Sequence, residues 1–301
     1  MRKEIIYLQG GLGNQMFQYA FYLSKKEKGR NVTCDASILS LCFGHNGYEL
    51  DEVFGLKVQK SKLQCTILRL LNKLMTLSVN RFFPRFLLKI FEVFGFSLIK
   101  DNSPTIYLPY IDTFTPRLGL TFYLGYWQTE KYFIGINDLL MQTFVFNEVA
   151  ISIQTRIILE KMEEVDSVSL HIRRGDYLLP ENRELFGGIC TLDYYRRAID
   201  YILDKVKNPF FFIFSNDIVW VKENMNISNS LFITWNSGKD SWQDMFLMSK
   251  CKHNIIANST FSWWGAWLNK NPQKIVISPS RFFNVSNNSD IVPDTWTSIQ
   301  V

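Results

Sequence analysis

Short apolar runs alternate along this chain with longer stretches whose apolar residues return every three or four positions. The first pattern reads as strand and the second as amphipathic helix. Ile5–Leu8 predicts a strand that enters the polar loop Gln9-Gly10-Gly11-Leu12-Gly13-Asn14-Gln15. Met16, Phe17, Ala20, Phe21 and Leu23 then mark a helix. Val32–Asp35 predicts a second strand, and the periodicity predicts two or three helices over about 60–100. Thr121–Trp127 predicts a strand, followed by a helical stretch through about 146. The alternation then begins again. Helices are expected at Ile151–Glu164, Asp193–Val206, Asp240–Lys250 and from Ser262 through Leu268, with Asp193 capping its helix or sitting in its first turn. Strands are expected at Ser167–Ile172, Pro209–Phe214, Leu231–Trp235, Asn254–Ala257 and Lys274–Ser278.

Strands that alternate with helices imply βαβ units and parallel sheets. Two such series, broken near residue 150, imply two doubly wound α/β domains, 1–150 and 151–301. The length of 301 residues suits two cores. In open α/β sheets ligands bind beyond the carboxyl ends of the strands, and the most polar motifs stand at such ends.

Composition changes this picture in three places. The chain carries 25 Phe, 13 Tyr and 8 Trp, most of them expected in the core, although an aromatic face also suits the C–H face of a sugar. The formal charge of +5 is modest and gives no basis for nucleic-acid binding. Between residues 57 and 100, however, nine Lys or Arg stand against one acid, Glu92, and interleave with Leu, Ile and Phe. Such a segment is either a peripheral contact for an anionic membrane or a core-packed helix pair with a solvated basic face; both readings stay open. The start of the chain is too polar for a signal peptide, and no run of 18 predominantly apolar residues exists, so a cytoplasmic protein is expected, peripheral at most to the inner membrane. The five Cys are odd in number and contain no C-x-x-C, as for reduced thiols.

Three motifs carry candidate chemistry. His171-Ile172-Arg173-Arg174-Gly175-Asp176-Tyr177 places two guanidinium groups at a strand end. Neighbouring side chains on extended backbone point to opposite faces, so one Arg can meet a ligand while the other pairs with a carboxylate. Guanidinium grips phosphate bidentately, which suits a diphosphate, and Asp176 can hold one Arg in place. A plain surface ion pair is the bland alternative. Asn258-Ser259-Thr260-Phe261-Ser262-Trp263-Trp264 turns from strand to helix, where hydroxyls and free N–H groups attract an anion. Simple capping explains the same residues, and Trp263 and Trp264 read as core. The glycines at 10, 11 and 13 lack the full dinucleotide spacing but imply close backbone approach, and Asn14 and Gln15 offer neutral groups suited to sugar hydroxyls. There is no D-x-D, the usual carboxylate clamp for a metal-bound sugar nucleotide, so the positive charge on a diphosphate is expected from Arg and helix ends, with no metal.

Together, G-G-L-G-N-Q-M-F-Q-Y-A at 10–20, G-Y-W-Q-T-E-K-Y-F at 125–133, H-I-R-R-G-D-Y at 171–177 and A-N-S-T-F-S-W-W-G-A-W-L at 257–268 resemble the bacterial α-1,2-fucosyltransferases of glycosyltransferase family 11. The stretch 40–110 carries no such signal. The resemblance implies a GT-B-like α/β fold, two facing Rossmann-like domains with parallel sheets: an acceptor-side domain and a GDP-fucose-binding one. It implies inverting, metal-independent transfer of L-fucose from GDP-β-L-fucose to the 2-hydroxyl of a terminal galactose, in an oligosaccharide or surface-polysaccharide precursor that is lipid-linked if the basic segment meets membrane. By that likeness Arg173 binds the β-phosphate with Arg174 in support, and His171 lies near the guanine or the pyrophosphate. Asp244 reads guanine N1–H and N2–H₂, and Asn258, Ser259, Thr260 and Ser262 belong to the phosphate site. Gly11, Gly13 and Asn14 lie near the fucose and the acceptor. The departing β-phosphate gains charge that Arg173 and the Ser259–Ser262 N–H groups meet. Asp176, Glu130 and Asp35 are the candidates for the base. Competing readings are another fucosyl linkage, a glycan- or nucleotide-binding module without chemistry, and a dinucleotide oxidoreductase, which Asp35 keeps open.

Overall fold

A computed structural model of the chain describes residues 2–39, 46–77, 82–101, 119–284 and 289–301. The described residues fall into two compact units that meet in sequence between Thr143 and Phe144.

The first unit holds strands β1 (Arg2–Tyr7), β2 (Val32–Asp35), β3 (Phe96–Lys100) and β4 (Gly119–Leu124), and helices α1 (Leu12–Glu27), α2 (Leu50–Phe54), α3 (Lys62–Leu77), α4 (Phe82–Val93) and α5 (Asn137–Thr143). The sheet is parallel throughout, in the order β2-β1-β4-β3. Strand alternation assigns Ile5, Tyr7, Phe122 and Leu124 to one face, where Leu68 and Leu71 of α3 and, partly buried, Phe91 of α4 cover them. Tyr123 points the other way and meets Phe21 of α1 edge-on, with centroids 5.7 Å apart. Glu4 is almost fully buried and survives there because Lys25 (3.1 Å) and Arg30 (2.7 Å) both pair with it. Lys25 also donates to the Tyr123 hydroxyl.

β3 is absent from the pattern reading, which continues the helical segment to 100. Gly95, at φ +80°, stops α4 in the left-handed region. A Cβ on Gly119 would stand 2.1 Å from the Gly95 carbonyl oxygen, so β3 joins the sheet through two glycines in direct backbone contact. The α3–α4 pair thus packs one face on this core and leaves Lys62, Lys73 and Lys89 exposed.

The second unit holds helices α6 (Ile153–Glu164), α7 (Pro180–Phe186), α8 (Leu192–Lys205), α9 (Ile218–Asn224), α10 (Trp242–Lys250) and α11 (Thr260–Trp267). Its strands are β5 (Asp166–Ile172), β6 (Pro209–Ser215), β7 (Ser230–Ile233), β8 (His253–Ile255), β9 (Val276–Pro279) and β10 (Thr297–Ile299). All six run parallel, in the order β10-β9-β8-β5-β6-β7. The chain therefore winds outward from β5 in one direction and returns to wind the other way from β8, which puts the switch point between these two strands. Val168, Leu170, Phe211 and Ile213 pack under α8, while Phe212 and Phe214 pack under α6 and α10. Burying each such side chain stabilises by about 1.5–3 kcal/mol.

Thr191, not Asp193, caps α8: its side chain accepts from the Tyr194 N–H, and Asp193 takes the first-turn place. Trp263 and Trp264 are fully buried, and Trp263 Nε1 donates to the Ile291 carbonyl at 2.8 Å. Among the described cysteines, Cys34, Cys65, Cys190 and Cys251 are free thiols; Cys42 lies outside the described residues. No described helix is long and apolar enough to cross a membrane.

Candidate functional site

In the second unit the polar motifs converge on the switch point between β5 and β8. Arg173 leaves β5 on the side opposite to Arg174 and forms a 2.7 Å ion pair from Nη2 to Asp176 Oδ2. The second carboxylate oxygen accepts from Asn216 Nδ2 at 2.7 Å. The same amide turns its oxygen to the backbone N–H groups of Arg174 (3.0 Å) and Gly175 (3.1 Å). One residue at the end of β6 thus fixes both the loop backbone and the carboxylate that aims Arg173. The motif itself gives no hint of Asn216, which lies 40 residues from Asp176; only the β5–β6 pairing brings them together. Arg173 Nε is buried without a hydrogen-bond partner, and 31% of the side chain remains exposed.

Burial works against ionisation of Asp176, but the hydrogen bond and charge of Arg173, with help from Asn216, outweigh it and hold the carboxyl below its ordinary range. Burial also opposes the charge of Arg173, and Tyr177 and Asp176 more than offset it, so the guanidinium stays a cation. The expectation that only one Arg pairs with a carboxylate is not met. Arg174 lies 3.3 Å from Asp217 and stacks 4.2 Å over the Trp220 ring, which commits its guanidinium to the other side of the loop.

Across the switch point, the Tyr177 hydroxyl donates to the Asn258 carbonyl at 3.0 Å and ties the β5 loop to the β8 loop. The Asn258 amide donates to the carbonyls of Phe186 and Phe282, so this side chain is a strut within the fold. Ser259 caps α11 by accepting from the Phe261 N–H, and the buried Ser262 hydroxyl turns back to the Ser259 carbonyl. The side chains of Asn258, Ser259 and Ser262 therefore shape the turn, and its anion-binding capacity resides in backbone N–H groups at the start of α11, where Thr260 is the first residue. His171 is buried against Phe261, with centroids 6.1 Å apart. Burial and then the Arg173 charge push its pKa down to about 3, so it is a neutral imidazole.

Asp244 stands in the first turn of α10 and accepts from Asn236 Nδ2 at 2.8 Å. Burial pushes its pKa up to about 7, and the Asn236 hydrogen bond only partly counters this.

In the first unit the loops after β1 and β4 meet at a second switch point. Gly10 sits at φ +76°, and a Cβ there would come within 2.5 Å of Asn14 Nδ2. Gly11 is the N-cap of α1, and Gly13 is buried in its first turn. Gln15 is a strut: its amide donates to the Gly10 and Gly47 carbonyls and accepts from the Glu49 N–H. Gln18 bonds the Gly125 carbonyl at 2.9 Å. Gln128 Nε2 donates to Asn14 Oδ1 at 2.8 Å and so joins the two loops. Asp101 holds the β4 loop by accepting from the N–H groups of Tyr126 and Trp127. Beside Gln9 a recess of about 230 Å³ opens, lined also by Ile38, Leu68, Arg69, Asn72 and Leu124.

Asp35 is buried, and its two oxygens accept from the N–H groups of Ser37 (2.7 Å) and Ser61 (3.0 Å). It organises a turn, which removes the feature that kept a dinucleotide reading open and argues against it as a base. Glu130 lies in a short 3₁₀ turn after the β4 loop, capped by Thr129.

The family model of glycosyl transferase family 11 matches residues 72–300. The chain is 34% identical over 308 residues to the O-antigen biosynthesis glycosyltransferase WbnK of Escherichia coli, covering 97% of this chain and 99% of that one. It is 33% identical over 304 residues to an alpha-1,2-colitosyltransferase of Escherichia coli, covering 97% of each. It is also 33% identical over 103 residues to the human galactoside alpha-(1,2)-fucosyltransferase 1, a match that covers 34% of this chain and 28% of that protein. A parallel-sheet α/β fold with a guanidinium site at the β5–β8 switch point, joined to a family match over three quarters of its length, makes this chain a member of glycosyltransferase family 11.

Proposed function

We propose that the protein is an inverting glycosyltransferase that moves L-fucose from GDP-β-L-fucose to the 2-hydroxyl of a terminal galactose in a surface-polysaccharide precursor. The observation that carries this is the clamp Asn216–Asp176–Arg173, which holds a permanent cation with a free buried Nε on a loop that Tyr177 ties to the turn before α11. Such a pair of donors suits an oxygen that gains negative charge as a nucleoside diphosphate departs. Asp244 suits the guanine, whose two neighbouring N–H donors match one carboxylate. In the first unit, the neutral Asn14–Gln128 pair and the recess beside Gln9 suit the hydroxyls and one ring of an acceptor glycan.

Asp176 acts here by positioning. Both its oxygens are engaged and its carboxyl is held below the ordinary range, which makes it a poor proton acceptor. The acceptor hydroxyl therefore loses its proton elsewhere. Charge on the diphosphate is met by Arg173 and backbone N–H groups, so turnover is expected to persist without a divalent ion. A second reading concerns the donor sugar. The similarity to a colitosyltransferase equals, within one per cent of identity, that to WbnK, and colitose differs from fucose by one missing ring hydroxyl.

The test is incubation with GDP-fucose, and in parallel with GDP-colitose, a panel of β-galactosides and EDTA, followed by NMR of the product linkage. An α-1,2 fucosyl galactoside formed in EDTA is the expected result. Transfer from GDP-colitose alone changes the donor, another linkage changes the acceptor position, and GDP binding without transfer removes the enzymatic reading.

A further inference from the structure

We infer that the outer face of the α3–α4 pair is a docking surface for an anionic phospholipid bilayer. The inner face of both helices is accounted for, since Leu68, Leu71 and Phe91 pack on the β1–β4 strands. Both helices cover the same side of that sheet, so their outer rows open away from it. On α3 the outer row is Lys62, Thr66 and Lys73, at helical spacings of four and seven. Leu63 (72% exposed) and Leu70 (46%) stand seven apart in the adjoining row. On α4, Phe86, Lys89 and Val93 share one row at spacings of three and four, and Val93 (85%) leads into the equally bare Phe94 (75%).

Five large apolar side chains therefore face water, and four of them, Leu63, Leu70, Phe86 and Val93, stand within one helical turn of a lysine. That mixture fits an interfacial helix pair, with apolar tips among the acyl chains and Lys and Arg at the phosphates. The occupant follows from charge. From 57 to 100 there are nine cations and one acid, so a second copy of this face would bring like charge against like charge. An anionic lipid surface supplies the opposite sign, and each cation near it contributes about 1 kcal/mol, which corresponds to about a fivefold gain in partition.

The experiment is co-sedimentation of the intact protein with vesicles of phosphatidylcholine alone or mixed with phosphatidylglycerol, at low and at raised salt. Binding is expected to the mixed vesicles only, and to weaken with salt. The triple variant Lys62→Gln/Lys73→Gln/Lys89→Gln should lower partition about a hundredfold. Leu63→Ser/Phe86→Ser/Val93→Ser should lower it at least about tenfold. Circular dichroism checks folding, and the single changes Lys89→Gln and Val93→Ser replace either triple that fails to fold, with about a fivefold loss expected for the first. Absence of binding at low salt, or equal binding by wild type and variants, overturns the inference. Light scattering that shows a dimer abolished by either variant also overturns it, by assigning the face to another copy. The measurement uses no donor or acceptor, so it stands or falls separately from the proposed transfer reaction.

Discussion

The two units solve the same topological problem with opposite chemistry. Each gathers polar loops where a parallel sheet changes its direction of winding, after β1 and β4 in one and after β5 and β8 in the other. The β5–β8 point is built from full charges held by an amide, Arg173, Asp176 and Asn216. The β1–β4 point contains glycines and the neutral pair Asn14–Gln128, and its carboxylate Asp101 serves the backbone by holding two N–H groups. A strand-end crevice is thus a generic address; the residues at it decide between an anion and a polyol.

The strongest way to break this contrast is Arg173→Ala. It should lower kcat by about 10²–10³ while leaving thermal stability nearly unchanged, as expected for a lost charge-stabilising donor. Near-normal turnover would refute the assignment. In the neutral loop the largest expected effect is on folding. A Cβ on Gly125 would stand 2.2 Å from that of Asp101, so Gly125→Ala should destabilise by about 1–3 kcal/mol in urea unfolding.

The proposed contact of Asp244 with guanine predicts a pH signature. The Asp244 carboxyl titrates at about 7, raised by burial, so its ionised form prevails above that value and GDP should bind about tenfold more tightly at pH 8 than at pH 6. Asp244→Asn should flatten the profile and weaken binding, as calorimetry would show. The sign for stability is the reverse: a raised carboxyl favours folding most below its unfolded pKa, and this contribution fades as pH rises through about 7. The smallest effect is expected from Asn14→Ala, which removes one neutral partner of Gln128 and should raise the acceptor KM several-fold with the donor KM unchanged.

Much of this was legible because the signals are local. Val32–Asp35, the β5 strand and the loops after them follow from apolar runs that stop at polar motifs. β3 was not legible, since Phe96–Lys100 follows a helical pattern without a break in hydrophobicity, and its pairing depends on the Gly95–Gly119 approach from across a long gap. At the site, residue type named Arg173 and Asp176 but not their geometry. Ser259, Ser262 and Asn258 look alike on paper as ligands and caps, and only their hydrogen bonds show that the side chains serve the turn. Asn216, and the partner of Gln128 within its motif, were invisible because ordinary amides gain meaning only from what they face.

Asn216 has one more consequence. It is exposed, and the whole clamp depends on which of its two terminal atoms is nitrogen. Hydrolytic ageing of that amide to an acid would keep the shape and the oxygen that accepts from the loop. It would also set a new carboxylate against Asp176, so that a protein intact by mass to within one unit loses its grip on the Arg173 guanidinium, and old preparations would fade in activity while still looking folded.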